Sequence, residues 1–335
     1  MDSATVFMVL LSALVYPGLL FATTLGFFSE WLERKTVARA QSRMGPSYVG
    51  AYGLLQPLAD FLKLLVAKEE VAPRGSSPLL AKTALALGIA SLSVSTLLLP
   101  LSPARLEARG DVVVLIYLVI VLPLVSLSLA FISYPNPYVV VGFSRFLSVA
   151  TVAEPALAAS LLVPCVLASR LEDTPFTVAT TSSVALDMLI PSSLDLGELL
   201  RSLLMIMALS SAIVSTQAKL KLKPFDVVEA EQELIAGPLT EMSGPTLALY
   251  KLYRDVELAV HSLIISYLIL GGPAPCSQWS LCGLLVATVK FVLVLEAMVL
   301  TRAIFGRVRV EESIAIVVKL SLIPALVALV VAWLA

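Results

Sequence analysis

Long apolar runs alternate with shorter polar segments along most of this chain. About 20 consecutive apolar residues in a helix are enough to cross the roughly 30 Å of hydrocarbon in a bilayer. Runs near that length occupy roughly residues 4–28, 79–101, 111–132, 146–168, 201–219, 255–271, 281–301 and 313–334. The pattern predicts an all-α integral membrane protein, a bundle of about eight transmembrane helices.

The first run is expected to remain in the mature protein as a membrane helix. It lacks a basic segment before its apolar residues, and it is longer than the apolar core of a signal peptide. The later runs show neither an internal repeat nor a linker-like composition. We therefore expect residues 1–335 to form a single polytopic membrane domain.

Basic residues are divided unevenly between the two sides that the eight runs define. With both termini outside, the inner segments hold sixteen Lys and Arg residues and the outer segments hold four. Lys and Arg are enriched in cytoplasmic loops. The chain is therefore predicted to lie in the cell (cytoplasmic) membrane as a multi-pass protein, with its basic loops on the cytoplasmic side.

The first inner loop, 29–78, is predicted to be ordered. Apolar residues from Leu54 to Leu65 recur at helical spacing, while Asp60 and Lys63 fall on the opposite side. This segment is too short and too polar to span a bilayer. It is typical of an amphipathic helix that lies at the membrane interface.

The second inner loop, 217–254, is rich in carboxylates. Pro224 suits the first turn of a helix and Gly237 its end, which predicts a helix between them. The acidic residues that would share one face of it are Asp226, Glu229 and Glu233, with Glu231 pointing elsewhere and Glu241 just beyond. Such a cluster is either a solvated face or a path for protons. In the second case closely spaced carboxylates cannot all ionise together, so the pKa values of some rise toward neutrality and these groups can pass protons.

Charged residues also occur within the predicted membrane helices, where an isolated charge costs about 2.5–3.5 kcal/mol. Such residues usually face the bundle interior and mark ion paths, although a buried ion pair or a snorkelling lysine is the simpler alternative. The charged positions are Glu154, Lys290, Glu296 and Lys319. His261 is predicted to be a hydrogen-bonded core residue.

The amino-acid composition limits the kinds of site that the chain can contain. The chain is 59% hydrophobic and 14% charged, whereas soluble domains are about half apolar and a quarter charged. Three cysteines and one histidine form no spacing typical of zinc, haem or iron–sulfur ligation. We expect no catalytic residue, metal or bound cofactor in this chain, and no nucleic-acid partner.

Three sequence motifs resemble subunit 1 of NADH dehydrogenase, the H subunit of respiratory complex I. The first combines Glu-Arg-Lys at 33–35, Gln-Ser-Arg-Met-Gly-Pro at 41–46 and Gly-Leu-Leu-Gln-Pro-Leu-Ala-Asp at 53–60. The second combines Pro-Phe-Asp at 224–226, Glu-Ala-Glu at 229–231 and Thr-Glu-Met-Ser-Gly at 240–244. The third comprises Arg302, Arg307, Arg309, Glu311, Lys319 and Pro324.

The resemblance implies a membrane anchor for a peripheral redox arm, whose electron transfer is coupled to ion movement. The expected partners are iron–sulfur and catalytic subunits of that arm, together with antiporter-like and small membrane subunits. A quinone is expected at the interface with the arm. The interface residues would be Arg34, Lys35, Arg39, Gln41, Arg43, Asp60, Lys63, Arg302, Arg307 and Arg309. With the charges inside the helices, the ion path would comprise Glu154, Asp226, Glu229, Glu231, Glu233, Glu241, Lys290 and Glu296.

Three positions depart from the family pattern, namely Leu222 in place of an Arg, Met242 in place of a Tyr and Gly306 in place of a Pro. The motif around Met242 is also similar to the related subunit of energy-converting [NiFe] hydrogenases. Complex I-type and hydrogenase-type assemblies are therefore both open. The remaining alternatives are a self-contained ion transporter and a structural anchor without an ion path.

Overall fold

The computed structural model describes residues 3–101, 108–172, 176–191, 193 and 195–334. Its principal elements within those residues are helices α1 (Ser3–Leu14), α2 (Leu19–Ala40), α3 (Gln56–Leu62), α4 (Pro78–Ser95), α5 (Asp111–Ile132), α6 (Pro137–Glu172), α7 (Val178–Leu189), α8 (Leu196–Lys219), α9 (Gly244–Leu268), α10 (Leu281–Ile304) and α11 (Val310–Leu334).

Seven segments of the described residues are long and apolar enough to cross a membrane. They are α1 and α2 taken together from Met8, followed by α4, α5, α6, α8, α10 and α11. The remaining predicted run, 255–271, forms most of α9, a helix of 25 residues. Helix α9 is too polar to count among the seven candidate spans, because it contains four charged residues, Lys251, Arg254, Asp255 and Glu257. The predicted all-α membrane fold is confirmed.

The first inner loop begins later than predicted. Helix α2 continues to Ala40, so residues 29–40 extend the first span and Glu30 and Glu33 are buried. Ion pairs of these glutamates with Arg34 and Arg302 allow the helix to continue through a charged stretch. The run itself is interrupted between α1 and α2 at Pro17, where proline lacks the N–H that a continuous helix needs.

Helix α9 lies at the centre of the bundle and packs against α2, α4 and α10. Every residue from Asp255 to Ile269 is buried. Two glycines allow neighbouring helices to come close: a Cβ on Gly26 of α2 would lie 3.1 Å from the Asp255 backbone, and one on Gly88 of α4 would lie 2.6 Å from the Tyr253 ring. Close packing therefore surrounds a helix that carries buried charges.

The helix predicted between Pro224 and Gly237 is wrong. The only α-helical turn there is Glu231–Leu234, followed by a 3₁₀ segment at Gly237–Glu241. Val227 and Val228 are both buried although they are adjacent in sequence. Phe225 and Ala230 are buried as well, and on a helix these four residues would point to all sides, so an amphipathic helix on the surface cannot bury them all. Tertiary contacts therefore hold this segment in an irregular conformation.

The amphipathic helix predicted in the first loop is present as α3, continued by a π-helical turn to Ala67. Its apolar residues Leu58, Leu62 and Leu65 remain exposed in the isolated chain. On its other side, Asp60 contacts Arg34 of α2. Phe61 also packs against Phe27 of α2, so an ion pair and an aromatic contact together attach this helix to the bundle.

Candidate functional site

A stripe of polar side chains runs along α9. Tyr250, Arg254, Glu257 and His261 are separated by four, three and four residues, so they share one helix face. The structure buries Tyr250, Glu257 and His261 almost completely. His261 directs Nδ1 at the Glu257 carbonyl, 2.7 Å away, one turn earlier in its own helix, which agrees with the predicted core role.

Two carboxylates and one lysine meet beside this stripe, and we name Glu154, Lys219 and Glu257 the membrane triad. The Lys219 ammonium lies 3.4 Å from Glu154 Oε1 and 4.0 Å from Glu257 Oε1. The three side chains come from α6, α8 and α9, and all are buried. One cation between two carboxylates reduces the free-energy cost of burying these charges. The net charge of the three groups is still about −1 when all are ionised. The triad is therefore suited to hold a proton.

A π-helical turn in α5, Tyr117–Val121, faces the triad. The Ile120 carbonyl lies 3.4 Å from the Lys219 ammonium. Tyr253 of α9 donates its hydroxyl hydrogen bond to the Pro123 carbonyl or to Glu257, each 3.2 Å away. A π turn disturbs the regular hydrogen bonding of helix carbonyls. Here the carbonyls of Ile120 and Pro123 accept hydrogen bonds from Lys219 and Tyr253 and so add polar groups around the triad.

The second inner loop places further charges above the same face of α9. A cavity of about 30 Å³ is lined there by four basic and two acidic residues, Lys221, Lys223, Arg254, Arg302, Asp226 and Glu229. That volume is enough for a water molecule. Tyr250 donates a hydrogen bond to Glu229, which attaches the loop to the polar stripe. We name this group the loop cavity.

A third group connects α2 with α9 and α3. Arg34 forms ion pairs with Glu30 and with Asp60, the latter at 2.6 Å. Asp255 forms a side-chain hydrogen bond with Glu30. Partial burial would raise the pKa of Asp60, but hydrogen bonds from Arg34 and Gln56 outweigh it and hold that pKa below its usual value.

Two predicted residues of α10 lie apart from the triad. The Glu296 carboxylate accepts a hydrogen bond of 2.8 Å from Thr36 of α2. The Lys290 ammonium donates to the carbonyls of Leu270 and Ala274, at 2.6 and 2.7 Å. Lys290 therefore stabilises the loop after α9, toward the opposite end of that helix from the loop cavity.

The remaining acidic positions of the second loop diverge. Glu233 is half exposed and contacts Arg145 at 2.5 Å and Arg307 at 3.3 Å. Glu241 accepts a hydrogen bond from Asn136. The side chain of Glu231 lies outside the described part of the chain. The structure thus brings Asp226 and Glu229 together but directs Glu233 and Glu241 to other partners.

The predicted interface residues surround the start of the first loop. Lys35 donates to the carbonyls of Pro46 and Tyr52, at 2.9 and 3.1 Å, and Arg43 donates to Gln41 at 2.9 Å. Arg39, Lys63 and Arg309 are exposed. A groove of about 560 Å³ opens beside α2 and is lined by Phe28, Trp31, Leu32, Lys35, Thr36, Arg39, Ala51, Tyr52 and Leu54.

Several buried charges were not predicted as site residues. Within the described residues they are Glu30, Glu33, Asp111, Lys219, Lys221, Asp255 and Glu257. The sequence did contain a signal for Glu257, since the four-three-four spacing of the α9 stripe is readable directly. Lys219 and Lys221 gave no such signal, because a basic residue at the end of a span is normally solvated.

Comparison with known proteins places the chain in a family. The family model for NADH dehydrogenase matches residues 12–333. A chain in the structure of the membrane-bound sulfane sulfur reductase, an archaeal respiratory membrane complex, is similar in fold, with a TM-score of 0.76 and 24% identity over 97% of this chain and 99% of that chain. Because the family match spans nearly the whole sequence, this multi-pass membrane protein belongs to the NADH dehydrogenase family.

Proposed function

We propose that this chain is the coupling subunit of a complex I-like, ion-translocating oxidoreductase. It anchors a peripheral redox arm and links electron transfer there to the movement of protons or sodium ions. The observation that carries this proposal is the series of titratable groups from the loop cavity to the membrane triad, with Tyr250 bonded to Glu229 at one end and Lys219 paired with Glu154 at the other.

The series is suited to coupling because Tyr250, Lys221 and the membrane triad are buried. A charge interacts several times more strongly through a protein interior than through bulk solvent. A change of charge at the loop cavity therefore alters the proton affinity of the triad. The loop cavity faces the side where the predicted arm would dock, so redox events in a partner can act on it.

The docking surface for the arm is the first loop. Met44 and Tyr48 are 90% and 98% exposed, next to the basic residues Arg39 and Arg43. Exposed apolar side chains with a polar rim are typical of protein interfaces. We assign this surface to the iron–sulfur and catalytic subunits of the arm; a Tyr48→Cys variant should form a cross-link to a co-purifying subunit through a short bifunctional reagent.

A quinone is one candidate occupant of the groove beside α2. Trp31 and Tyr52 provide aromatic faces, and the Lys35 ammonium has one N–H beyond the two that it donates to backbone carbonyls, which suits a flat ring that carries carbonyl groups. A photoreactive quinone analogue should label the groove in a complex I-type assembly. Absence of labelling that free quinone can compete away would favour an assembly of the hydrogenase or sulfur-reductase type.

The basic side of the bundle is assigned to the cytoplasm. A disulfide joins Cys276 and Cys282 in the loop between α9 and α10, on the side opposite the second inner loop. Disulfides persist mainly in oxidising compartments, which supports an external position for this loop. An impermeant thiol reagent applied to intact cells after mild reduction should label these cysteines, and labelling only after lysis would contradict the assignment.

The central test is Glu154→Gln in the assembled complex. Glutamine keeps the shape and accepts a hydrogen bond from Lys219, so the complex should assemble. It cannot exchange a proton, so the number of ions moved per electron transferred should fall by at least tenfold in reconstituted liposomes. The matched control is Glu311→Gln, the same change at an exposed carboxylate, which should leave the ratio unchanged.

Other outcomes separate the alternatives. Full translocation by Glu154→Gln would leave the structural anchor as the better explanation. Ion movement by the purified chain alone, without iron–sulfur subunits, would favour a self-contained transporter. Purification in mild detergent should instead recover iron–sulfur proteins with this chain.

A further inference from the structure

Lys221 occupies an unusual environment at the boundary between the loop cavity and the bundle. Its side chain is only 5% exposed. The ammonium nitrogen has no hydrogen-bond partner within the described residues. Instead, it lies 5.3 Å from the ring centre of Tyr250, 5.5 Å from that of Phe146 and 5.7 Å from that of Phe131. Three aromatic faces therefore form a cation–π cage around it.

The cage lies between the two carboxylate groups of the site. Tyr250, one wall of the cage, donates its hydroxyl to Glu229. Lys219, two residues before Lys221, reaches Glu154 and Glu257 of the membrane triad. The charged groups that act on Lys221 are Glu257 and Arg254 on α9, Glu229 on the loop and Lys219 on α8.

Packing alone does not account for a lysine here. Burial lowers the pKa of Lys221, and the charges of Glu257 and Glu229 act in the opposite direction. A methionine would fill the same space between three rings, make favourable sulfur–aromatic contacts and avoid the cost of burying a cation. The position therefore retains a charge where an apolar residue would pack as well.

We propose that Lys221 is the positioning residue that couples the loop cavity electrostatically to the membrane triad. Its caged cation is attracted by both Glu229 and Glu257. When one carboxylate binds a proton, the ammonium moves toward the other and lowers its proton affinity. This inference rests on the proposed function, and it adds a residue to which no role was assigned.

The test compares Lys221→Met, Lys221→Arg and Lys319→Met in the complete complex. Lys319 is an exposed lysine of α11 and lies outside the lining of the loop cavity and outside the membrane triad, so Lys319→Met is the matched control. Assembly, ions moved per electron and the pH profile of translocation are measured for each variant in liposomes.

Lys221→Met should assemble and move at least tenfold fewer ions per electron. Without the cation both carboxylates bind protons more readily, so the acidic limb of the residual pH profile should move upward by about one unit. Lys221→Arg should restore the original profile, because it returns the charge. Lys319→Met should match the unsubstituted complex.

An unchanged ratio and profile in Lys221→Met would overturn the proposal, and so would an equal shift in Lys319→Met. If Lys221→Met fails to assemble, Lys221→Met/Glu257→Gln should recover assembly, because it also removes a facing negative charge; failure of that double variant would assign Lys221 to folding alone. If Glu154→Gln stops translocation while Lys221→Met does not, only the role of Lys221 is rejected.

Discussion

Helices α9 and α11 have the same length, 25 residues, but opposite characters. Helix α9 is rich in charged groups and is enclosed on all sides from Asp255 onward. Helix α11 is among the most apolar segments, and Leu320, Ile323 and Val330 are each more than half exposed. Lipid can solvate an apolar helix but not a charged one. The bundle therefore places its polar helix inside and its apolar helices at the rim, the reverse of a soluble protein.

The largest expected effect comes from Lys219→Met. It leaves Glu154 and Glu257 buried without their shared cation, which should destabilise the complex by about 3–5 kcal/mol. Thermal unfolding in detergent measures the loss. The matched control is Lys319→Met in α11, where the lysine is exposed and the change should stay within about 0.5 kcal/mol. Equal losses of stability in Lys219→Met and Lys319→Met would contradict the view that the buried charges around α9 matter more for stability than the exposed lysine of α11.

An intermediate effect is expected from Gly88→Ala in α4. The new Cβ would lie 2.6 Å from the Tyr253 ring and closer still to the Ser126 hydroxyl, so both side chains must shift. Overpacking of this kind costs about 1–3 kcal/mol. Gly306→Ala, just before α11, has open space around it and should be neutral by the same unfolding assay; a neutral Gly88→Ala would show that α4 can move away from α9 without cost.

The smallest effect concerns Glu233, which contacts Arg307 ahead of α11. A hydrogen bond from Arg145, and the charges of Arg145 and Arg307, hold the pKa of Glu233 below its usual value. The resulting stabilisation is present above the ordinary carboxyl pKa of about 4.3 and is lost as the pH falls through the lowered value. The unfolding temperatures of the unsubstituted protein and of Glu233→Gln should therefore differ slightly at pH 7 and converge near pH 3. A difference that persists at pH 3 would exclude this cause.

The predictions from sequence succeeded where a single helix decides the outcome. The eight runs are all helical, and α3 appears where apolar residues recur at helical spacing. The predictions failed where contacts between several helices determine the conformation or the burial of a residue. The carboxylates from Asp226 to Glu233 suggested one helical face, yet Val227 and Val228 are drawn into the bundle together and hold the loop in an irregular path. Lys219 resembled a solvated lysine at the end of a span, but α6 and α9 enclose it.

The sequence by itself determined the family and the apolar helices, because short motifs and hydropathy are local properties. Only the tertiary structure decided which charges meet. Glu154, Lys219 and Glu257 come from three separate helices, and an ion pair across helices depends on their crossing and on close approach at positions such as Gly26 and Gly88. No periodicity within one segment contains that information.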